Sequence, residues 1–331
     1  MDWENFYNQF RKKDFIPGYE IQVRLGGGAF GDVYKARKQS IGKSYAIKFL
    51  KVEDGQQAVV ERELAQVGHF AAIDHPNLVT IEDMGMVMGV PYLIMGYAGN
   101  QTLAKRLKEG PLSEAEALDL FHQIGRGVEL LHQRQLVHFD LKPGNIFLQD
   151  QRARVGDYGL AKFFEKGNQT LSFGRGTPHY MAPEILMGRA DHRADMYSFG
   201  VMLYEALTGR KPYLDQASDP LALRQPDDPL PAMGTIRPEV AAVVERCLEW
   251  DPDDRFQTMG ELLGALPYPP GSSFTAPNGV YTNGEDASRW SAASEVSSGG
   301  WMHTSIFVLL FVLIGFLISL GGMALLRGLI V

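Results

Sequence analysis

The sequence predicts an α+β fold of two lobes, a smaller β-rich lobe followed by a larger helical lobe. The hydrophobic period is close to two residues before about residue 95 and changes to three or four residues after about residue 113. The length of 331 residues also suggests roughly two structural units, since a domain holds about 150 residues. A cleft between two such lobes is the natural place for a ligand.

Composition excludes several classes of protein. Hydrophobic residues make up 45% of the chain and charged residues 21%, which excludes disorder throughout. The 39 acidic residues outnumber the 32 Lys and Arg residues, so the net charge of −7 gives no reason to expect a nucleic-acid partner. The single cysteine, Cys247, cannot form an internal disulfide, and the histidines lack the cysteine partners of a structural zinc site. We expect a reduced, cytosol-facing chain without nucleic acid or structural metal.

The first predicted element is a strand that leads into a glycine-rich loop. Apolar and polar residues alternate from 19 to 25, the pattern of a half-buried strand. The segment LGGGAFGDV then places Gly26, Gly28 and Gly31 in GxGxxG spacing, and glycines let backbone amides approach phosphate oxygens. A plain glycine-rich hairpin is the alternative. A second strand rather than a helix follows, which disfavours a dinucleotide-binding crossover.

The next strand, YAIKFL, carries a lysine that needs a partner. Alternation places Lys48 on the face shared by the alanine and leucine of this strand, opposite the isoleucine and phenylalanine. We expect an ion pair with Glu63, in a helical segment predicted from about residue 58 to 70, with Glu61 as the substitute. For an isolated lysine and glutamate, two solvated surface charges would be the alternative.

The helical lobe begins with a capped amphipathic helix. Ser113 and Glu116 have the spacing of a capping box. The apolar residues that follow recur at three- and four-residue steps, and they are Leu120, Phe121, Ile124, Val128 and Leu131.

Three further motifs follow in order along the chain. The segment HFDLKPGN ends at Asn145, the triplet Asp-Tyr-Gly begins at Asp157, and Ala-Pro-Glu ends at Glu184. Together with the glycine-rich loop, the strand lysine and the helical glutamate, this set resembles the protein kinase family. The sequence as a whole most resembles bacterial serine/threonine protein kinases with a membrane segment.

The resemblance covers about residues 19 to 266 and implies a bilobal protein-kinase fold. The N-lobe would span about residues 19–95 and the C-lobe about residues 101–266. Asp195 resembles the helix aspartate that braces the catalytic loop in the family, and Arg255 resembles the partner of Glu184.

Transfer of a phosphoryl group from ATP makes demands that these residues meet. Charge spreads over the phosphate oxygens, so catalysis consists mainly of positioning and of supplied positive charge. Asn145 and Asp157 provide an amide oxygen and a carboxylate, which suit Mg²⁺. Asp140 would accept or orient the proton of the substrate hydroxyl. By resemblance, Lys142 supports the γ-phosphate, as in the serine/threonine type, and Thr177 lines the substrate site beside these two residues.

The resemblance also implies the residues that hold ATP. YLIMGYAGN resembles the hinge after the gatekeeper Met95, but Gly96 replaces a usual acidic residue and Gly99 falls where a ribose-binding carboxylate often lies. Ribose binding is then weaker or uses Asn100. The expected nucleotide-binding residues are Gly26, Gly27, Gly28, Ala29, Phe30, Gly31, Val33, Ala46, Lys48, Met95, Tyr97, Ala98 and Asn100.

Two other departures concern the catalytic segments. Phe139 stands where many family members have an arginine that receives a phosphorylated activation segment. We therefore expect that phosphorylation of Thr170 or Ser172 is not the main on-switch, with Arg175 as a candidate for a substitute charge. Tyr158 replaces the usual phenylalanine, and its hydroxyl needs a partner or water when the ring packs.

The two ends of the chain differ in composition from the body. The extension at 1–18 lacks the apolar core of a secretory signal. Gly, Pro, Ser, Thr and Asn make up 21 of the 38 residues at 267–304, which predicts a flexible linker. The uncharged stretch at 306–326 would form a helix about 31 Å long, enough to span a bilayer once. We expect a transmembrane helix over 305–327 and a short tail at 328–331, the alternative being a buried helix of a soluble domain.

The whole sequence therefore predicts a membrane-anchored serine/threonine protein kinase that uses ATP and Mg²⁺. Because ATP is cytosolic, the kinase domain would face the cytoplasm and the C-terminus would lie outside. Expected partners are protein substrates with Ser or Thr, ATP and the lipid bilayer. Gly315 and Ser319 form a small-residue face for self-association, or are ordinary lipid-facing residues. The main alternative is a catalytically weak, kinase-like nucleotide-binding scaffold at the membrane, and a third is a kinase of small molecules.

Overall fold

The structure is a computed structural model. It describes residues 10, 14–28, 31–51, 73–158, 178–185, 187–213, 229–234, 236–269, 275–276 and 279–280. Several predictions from the sequence lie outside these residues: the helix at 58–70, the activation segment and the membrane segment. No helix formed by the described residues is both long enough and apolar enough to cross a membrane.

The first lobe contains a five-stranded antiparallel sheet in the order β1-β2-β3-β5-β4. The second strand forms where the sequence predicts one, directly after the glycine-rich loop. The strands are β1 (Tyr19–Gly28), β2 (Gly31–Lys38), β3 (Ser44–Leu50), β4 (Ile81–Val87) and β5 (Val90–Gly96).

The two faces of this sheet pack into different cores. Ile47 and Phe49 of β3 lie in a cluster on the outer face, with aromatic residues of the neighbouring strands. Ala46 and Leu50 lie on the opposite face, in the core that continues into the helical lobe. Ile16 is 1% exposed and packs on the outer face, so part of the predicted N-terminal extension belongs to the folded body. An apolar residue in that position is removed from water by the sheet.

The second lobe is built on helices that surround one almost wholly buried helix, α3. The helices are α1 (Leu103–Leu107), α2 (Glu114–Gln133), α3 (Arg193–Thr208), α4 (Pro238–Cys247) and α5 (Met259–Ala265). A short hairpin of β6 (Ile146–Gln149) and β7 (Arg152–Val155) lies between α2 and α3 along the chain.

Helix α2 begins as the sequence predicts. The hydroxyl of Ser113 accepts a hydrogen bond from the backbone N–H of Glu116 at 3.3 Å. The side chain of Glu116 binds the guanidinium of Arg106 at 3.1 and 3.2 Å rather than the backbone of the cap. All five apolar residues predicted on the core face are buried. Phe121 packs edge-on against Phe199 of α3, with 5.0 Å between the ring centroids.

A buried ion pair joins the Ala-Pro-Glu segment to the region after α4. The carboxylate of Glu184 accepts two hydrogen bonds from the guanidinium of Arg255, at 2.6 and 2.9 Å. Arg255 is 0% exposed and also donates to the backbone carbonyls of Glu249 and Trp250. The pairing expected from the family resemblance is present.

The chain divides into two compact units, residues 1–270 and a second unit of residues 271–331. Its described part is an antiparallel pair of two-residue strands, β8 (Thr275–Ala276) and β9 (Gly279–Val280). The sequence predicts only a flexible linker at these residues. A strand of two residues is too short to show an alternation of apolar and polar residues.

His122 marks the place where the helical lobe ends and the predicted linker begins. Its ring is 1% exposed, and its Nε2 donates a hydrogen bond to the carbonyl oxygen of Pro267 at 3.3 Å. The ring also stacks on that of Tyr268, with 4.0 Å between centroids. Burial lowers the pKa of His122 to about 4.

We expect the low pKa of His122 to make the protein less stable as the pH falls. Between about pH 6.5 and pH 4 the unfolded chain binds a proton at this site and the folded chain does not. The free energy of unfolding should therefore fall across this interval, by up to about 3 kcal/mol, and then level off. His122→Phe keeps a stacking ring but cannot titrate. Urea unfolding at several pH values gives the free energy of unfolding as a function of pH, and this free energy should fall less steeply with falling pH in the variant than in the wild type. An equally steep fall in the variant would contradict the assignment.

Candidate active site

A cleft of about 370 Å³ opens between the sheet and the helical lobe. This volume is within the range of small-molecule sites, about 300–1,000 Å³. Ten of the expected nucleotide-binding residues line it, and they are Gly26, Gly27, Gly31, Val33, Ala46, Lys48, Met95, Tyr97, Ala98 and Asn100. The cleft is also lined by the expected catalytic and metal-binding residues Asp140, Lys142, Asn145 and Asp157.

The remaining predicted site residues are Gly28 and four residues that the structure does not describe. Gly28 lies at the end of β1, where it pairs with Gly31. The four others are Ala29, Phe30, Glu63 and Thr177.

The cleft is also lined by residues that were not predicted as site residues. They are Leu25, Val79, Gly96, Gly99, Thr102, Lys105, Gly144, Phe147 and Gly156. Most of them flank a predicted site residue along the chain. Val79 is not adjacent in the sequence to any predicted site residue. It lies just before β4, and only the tertiary fold brings it to the cleft.

The start of β2 is held against β3 by a close backbone approach. At Gly31, which has a φ of +151°, a Cβ atom would lie 2.0 Å from the carbonyl oxygen of Phe49, so only glycine fits. The neighbouring Asp32 is 6% exposed, and its carboxylate binds Arg24 at 2.6 Å and Lys51 at 3.4 Å. These contacts fix both strands that border the glycine-rich loop.

Lys48 and Asp157 form an ion pair inside the cleft. The Nζ atom of Lys48, which is 3% exposed, lies 2.8 Å from Oδ2 of Asp157. Burial raises the pKa of the Asp157 carboxyl, but the charge of Lys48 and its hydrogen bond outweigh burial and hold the pKa below its ordinary value. The carboxyl is therefore ionised at neutral pH. The pairing of Lys48 with Glu63 stays a prediction.

A second charged cluster lies on the loop between α2 and β6. Lys142 donates from Nζ to both carboxylate oxygens of Asp140, at 2.8 and 2.6 Å. The Nδ2 of Asn145 donates to the backbone carbonyl of Asp140 at 2.8 Å and to its Oδ2 at 3.1 Å. The three side chains predicted for catalysis and metal binding are thus in direct contact.

The buried Asp195 of α3 anchors the loop between α2 and β6. Its carboxylate accepts hydrogen bonds from the backbone N–H groups of His138 and Phe139, both at 2.8 Å, and from Nε2 of His132 at 2.8 Å. Phe139 has a φ of 60°, a strained value for an aromatic residue that these contacts sustain. Nε2 of His138 donates to the carbonyl oxygen of Gly156 at 3.0 Å, which ties the loop to the segment of Asp157.

Asn145 and Asp157 have the donor chemistry of a Mg²⁺ site completed by phosphates. Both described hydrogen bonds of the Asn145 amide group use Nδ2, so Oδ1 remains an acceptor for a cation. Within the described residues no three His, Cys, Asp or Glu side chains cluster as a metal cage. Mg²⁺ does not need one, because it binds through one or two protein oxygens together with substrate phosphates and water.

The surroundings of Gly96, in the hinge after β5, explain why glycine replaces the usual acidic residue of the family. A Cβ atom at Gly96 would lie 2.6 Å from Oγ1 of Thr80, so a larger residue would require Thr80 to move. Further along, Tyr97 donates from its hydroxyl to Oδ1 of Asn100, and Lys105 donates from Nζ to the Asn100 carbonyl, both at 2.6 Å. The amide NH₂ of Asn100 remains available at the expected ribose position.

Comparison with known proteins identifies the family. The protein kinase domain family matches residues 19–264. A probable serine/threonine-protein kinase of Clostridium acetobutylicum is 32% identical over 257 residues, which cover 75% of this chain and 39% of the relative. PknA of Mycobacterium tuberculosis is 31% identical over 280 residues, with 79% and 64% covered. PrkC of Bacillus subtilis is 30% identical over 253 residues, with 74% and 39% covered.

A solved structure supports the same conclusion. The crystal structure of the kinase domain of Mycobacterium tuberculosis PknI has a TM-score of 0.59 and 25% identity, and the match covers 75% of this chain and 94% of that domain. The chain spans less than two thirds of the length of each of the three curated relatives. The predicted bilobal fold and the predicted protein kinase domain are confirmed. The chain belongs to the protein kinase family and resembles its bacterial serine/threonine members.

Proposed function

We propose that this protein is a serine/threonine protein kinase that transfers the γ-phosphoryl group of ATP to Ser and Thr hydroxyls of proteins, with Mg²⁺. One observation carries the proposal. The Lys48–Asp157 pair and the cluster of Asp140, Lys142 and Asn145 line the same cleft, beside a glycine-rich hairpin. The relatives are named as serine/threonine-protein kinases, which supports the serine/threonine class.

The residues of the chain have separate roles in this proposal. Lys48 supplies positive charge to the phosphates from a buried position, and Asp157 and Asn145 would hold Mg²⁺, which neutralises charge on the phosphate oxygens. Asp140 orients the acceptor hydroxyl and takes its proton. Lys142 is already bound to Asp140, so one ammonium group can contact both the carboxylate and the transferred phosphoryl group. Thr177 completes the substrate side by resemblance.

Phosphoryl transfer with purified protein tests the proposal. We expect the protein, given Mg²⁺, ATP labelled on the γ-phosphate and a generic basic acceptor protein, to label Ser or Thr residues in an acid-stable ester. Lys48→Met is the matched negative control inside the cleft, and Lys108→Met, at an exposed position after α1, is the control outside it.

The same assay separates the two rival functions. ATP binding without transfer to any protein would favour the nucleotide-binding scaffold. Label that appears only on a small molecule would favour the third possibility. The contact of Asp140 with both Lys142 and Asn145 argues for catalysis, because a scaffold has no need of this arrangement.

The activation segment is proposed to act without phosphorylation as its main switch. In many family members an arginine precedes the catalytic aspartate, and here Phe139 occupies that position and packs against the core of the helical lobe. We expect a Thr170→Ala, Ser172→Ala double variant to keep most of its activity. Comparison of initial rates before and after phosphatase treatment provides the check, and near-total loss in either case would contradict this part of the proposal.

Membrane attachment is proposed from the sequence of residues 305–327. The 21 residues at 306–326 contain no charged side chain, and Arg327 follows them. On expression in bacteria, we expect the full chain in the membrane fraction, resistant to high-salt and alkaline washes, with the kinase domain on the cytoplasmic side. A chain that ends before residue 305 should be found in the supernatant. Recovery of the full chain there would overturn the anchor.

A further inference from the structure

The hydroxyl of Tyr158 has a specific partner deep in the fold. It donates a hydrogen bond to the carbonyl oxygen of Val79 at 2.6 Å, and Tyr158 is 3% exposed. Tyr158 directly follows Asp157, whose carboxylate faces Lys48. The bond therefore starts one residue from the carboxylate that is proposed to bind Mg²⁺.

Val79 binds the segment around Asp157 on both sides. Its N–H donates to the carbonyl oxygen of Val155 at 2.9 Å, and its carbonyl accepts from Tyr158. Between these two bonds lies Gly156, where a Cβ atom would be 3.2 Å from a methyl carbon of Val79. Val79, which lies just before β4, thus clamps the turn from 155 to 158 through its N–H and its carbonyl.

The clamped turn holds Asp157 in an uncommon backbone conformation. Its φ of 61° lies in the left-handed region, which a non-glycine residue occupies only when its surroundings support it. This conformation directs the carboxylate to Lys48, 2.8 Å away, and into the cleft.

We propose that Tyr158 is a positioning residue: its hydroxyl fastens the 155–158 turn to Val79 and so keeps Asp157 in the orientation that binds the Mg²⁺–nucleotide complex. The inference rests on the proposed function. A phenylalanine ring could fill the same space, but it could not donate to the Val79 carbonyl. Burial raises the pKa of Tyr158, so its hydroxyl keeps the proton that it donates.

The hydrogen bond also discourages other arrangements of the turn. If Tyr158 left its site, its hydroxyl and the Val79 carbonyl would both lose a partner in a buried environment. The net gain from one buried hydrogen bond corresponds to an equilibrium shift of about 3- to 10-fold toward the clamped turn.

Tyr158→Phe in the full chain is the direct test, because it removes one oxygen atom and keeps the ring. Two readouts are independent of catalysis: the Mg²⁺ concentration that supports half-maximal binding of a fluorescent ATP analogue, and the hydrogen–deuterium exchange of peptides across 155–158. We expect the variant to need about 3- to 10-fold more Mg²⁺ and to exchange faster in this segment. Nucleotide binding without Mg²⁺ should be unchanged.

Tyr204→Phe is the matched control. Tyr204 lies in α3, is buried, and donates from its hydroxyl to the carbonyl oxygen of Pro231 at 3.2 Å. The control loses the same kind of bond away from the cleft, so it should alter thermal stability without altering the Mg²⁺ requirement.

The outcomes distinguish this inference from the proposed function. Wild-type Mg²⁺ dependence and wild-type exchange in Tyr158→Phe would overturn the positioning role. An equal change of Mg²⁺ dependence in Tyr204→Phe would overturn it too, since the effect would then be one of general stability. If the wild-type protein itself bound no Mg²⁺–nucleotide, the proposed function would fail, and the exchange comparison would still decide whether the hydroxyl holds the turn.

Discussion

The Asp140→Asn variant should lose about 100-fold or more of the phosphoryl-transfer rate while it still binds ATP. Asparagine has nearly the same shape but cannot accept the proton of the acceptor hydroxyl, and general base catalysis contributes about 10²- to 10⁴-fold. The variant also loses the charge that holds Lys142, whose Nζ lies 2.6 and 2.8 Å from the two carboxylate oxygens. The measurement is a single-turnover rate of transfer at saturating ATP, together with the nucleotide dissociation constant.

Asp150→Asn is the control for this loss. Asp150 is exposed between β6 and β7 and has a φ of 51°, a conformation that asparagine also adopts readily. It should keep the wild-type rate. A rate within a few-fold of wild type for Asp140→Asn would remove Asp140 from the chemistry, even if ATP binding were normal.

The second large effect is one of stability, at the ion pair between Glu184 and Arg255. Arg255 is 0% exposed, so Glu184→Ala would leave a buried guanidinium without its charged partner. Breaking a buried pair in this way costs about 3–5 kcal/mol. Because a domain has only about 5–15 kcal/mol of stability, the variant should show a much lower denaturation midpoint in urea or should be recovered as aggregate.

Two further variants test the cause of that loss. Glu109→Ala removes an exposed glutamate after α1 and should change the free energy of unfolding by less than about 0.5 kcal/mol. Combining Glu184→Leu with Arg255→Met removes both charges and should recover part of the stability, since an apolar pair can replace a buried ion pair. If the double variant were as unstable as Glu184→Ala, the unpaired charge would not explain the effect, and lost packing or the lost hydrogen bonds of Arg255 to backbone carbonyls would.

The sequence predicts the parts of the site that are close together in the chain. Asp140, Lys142 and Asn145 lie within six residues of one another. Recognising their motif is therefore almost enough to predict that their side chains are in contact. Lys48 could be placed on the correct face of its strand by alternation alone, because a strand has a strict period of two.

The sequence does not predict contacts between distant segments that lack a motif. The hydroxyl of Tyr158 needs a partner by simple chemistry, but the partner is a backbone carbonyl 79 residues away, and every residue has one. Gly96 similarly looks like the loss of an acidic side chain, whereas the structure shows that Thr80 occupies the space. Such contacts depend on how the sheet and the hairpin β6–β7 pack, and a single sequence contains no local signal of that packing.

The contacts of Asp195 affect how the protein should respond to heat. This residue ties the backbone on the N-terminal side of Asp140 to α3, the most deeply buried helix among the described residues. Segments joined in this way open only when the surrounding core opens. Thermal inactivation should therefore coincide with the cooperative melting of the helical lobe, with no earlier stage in which a folded enzyme has already lost its catalytic loop.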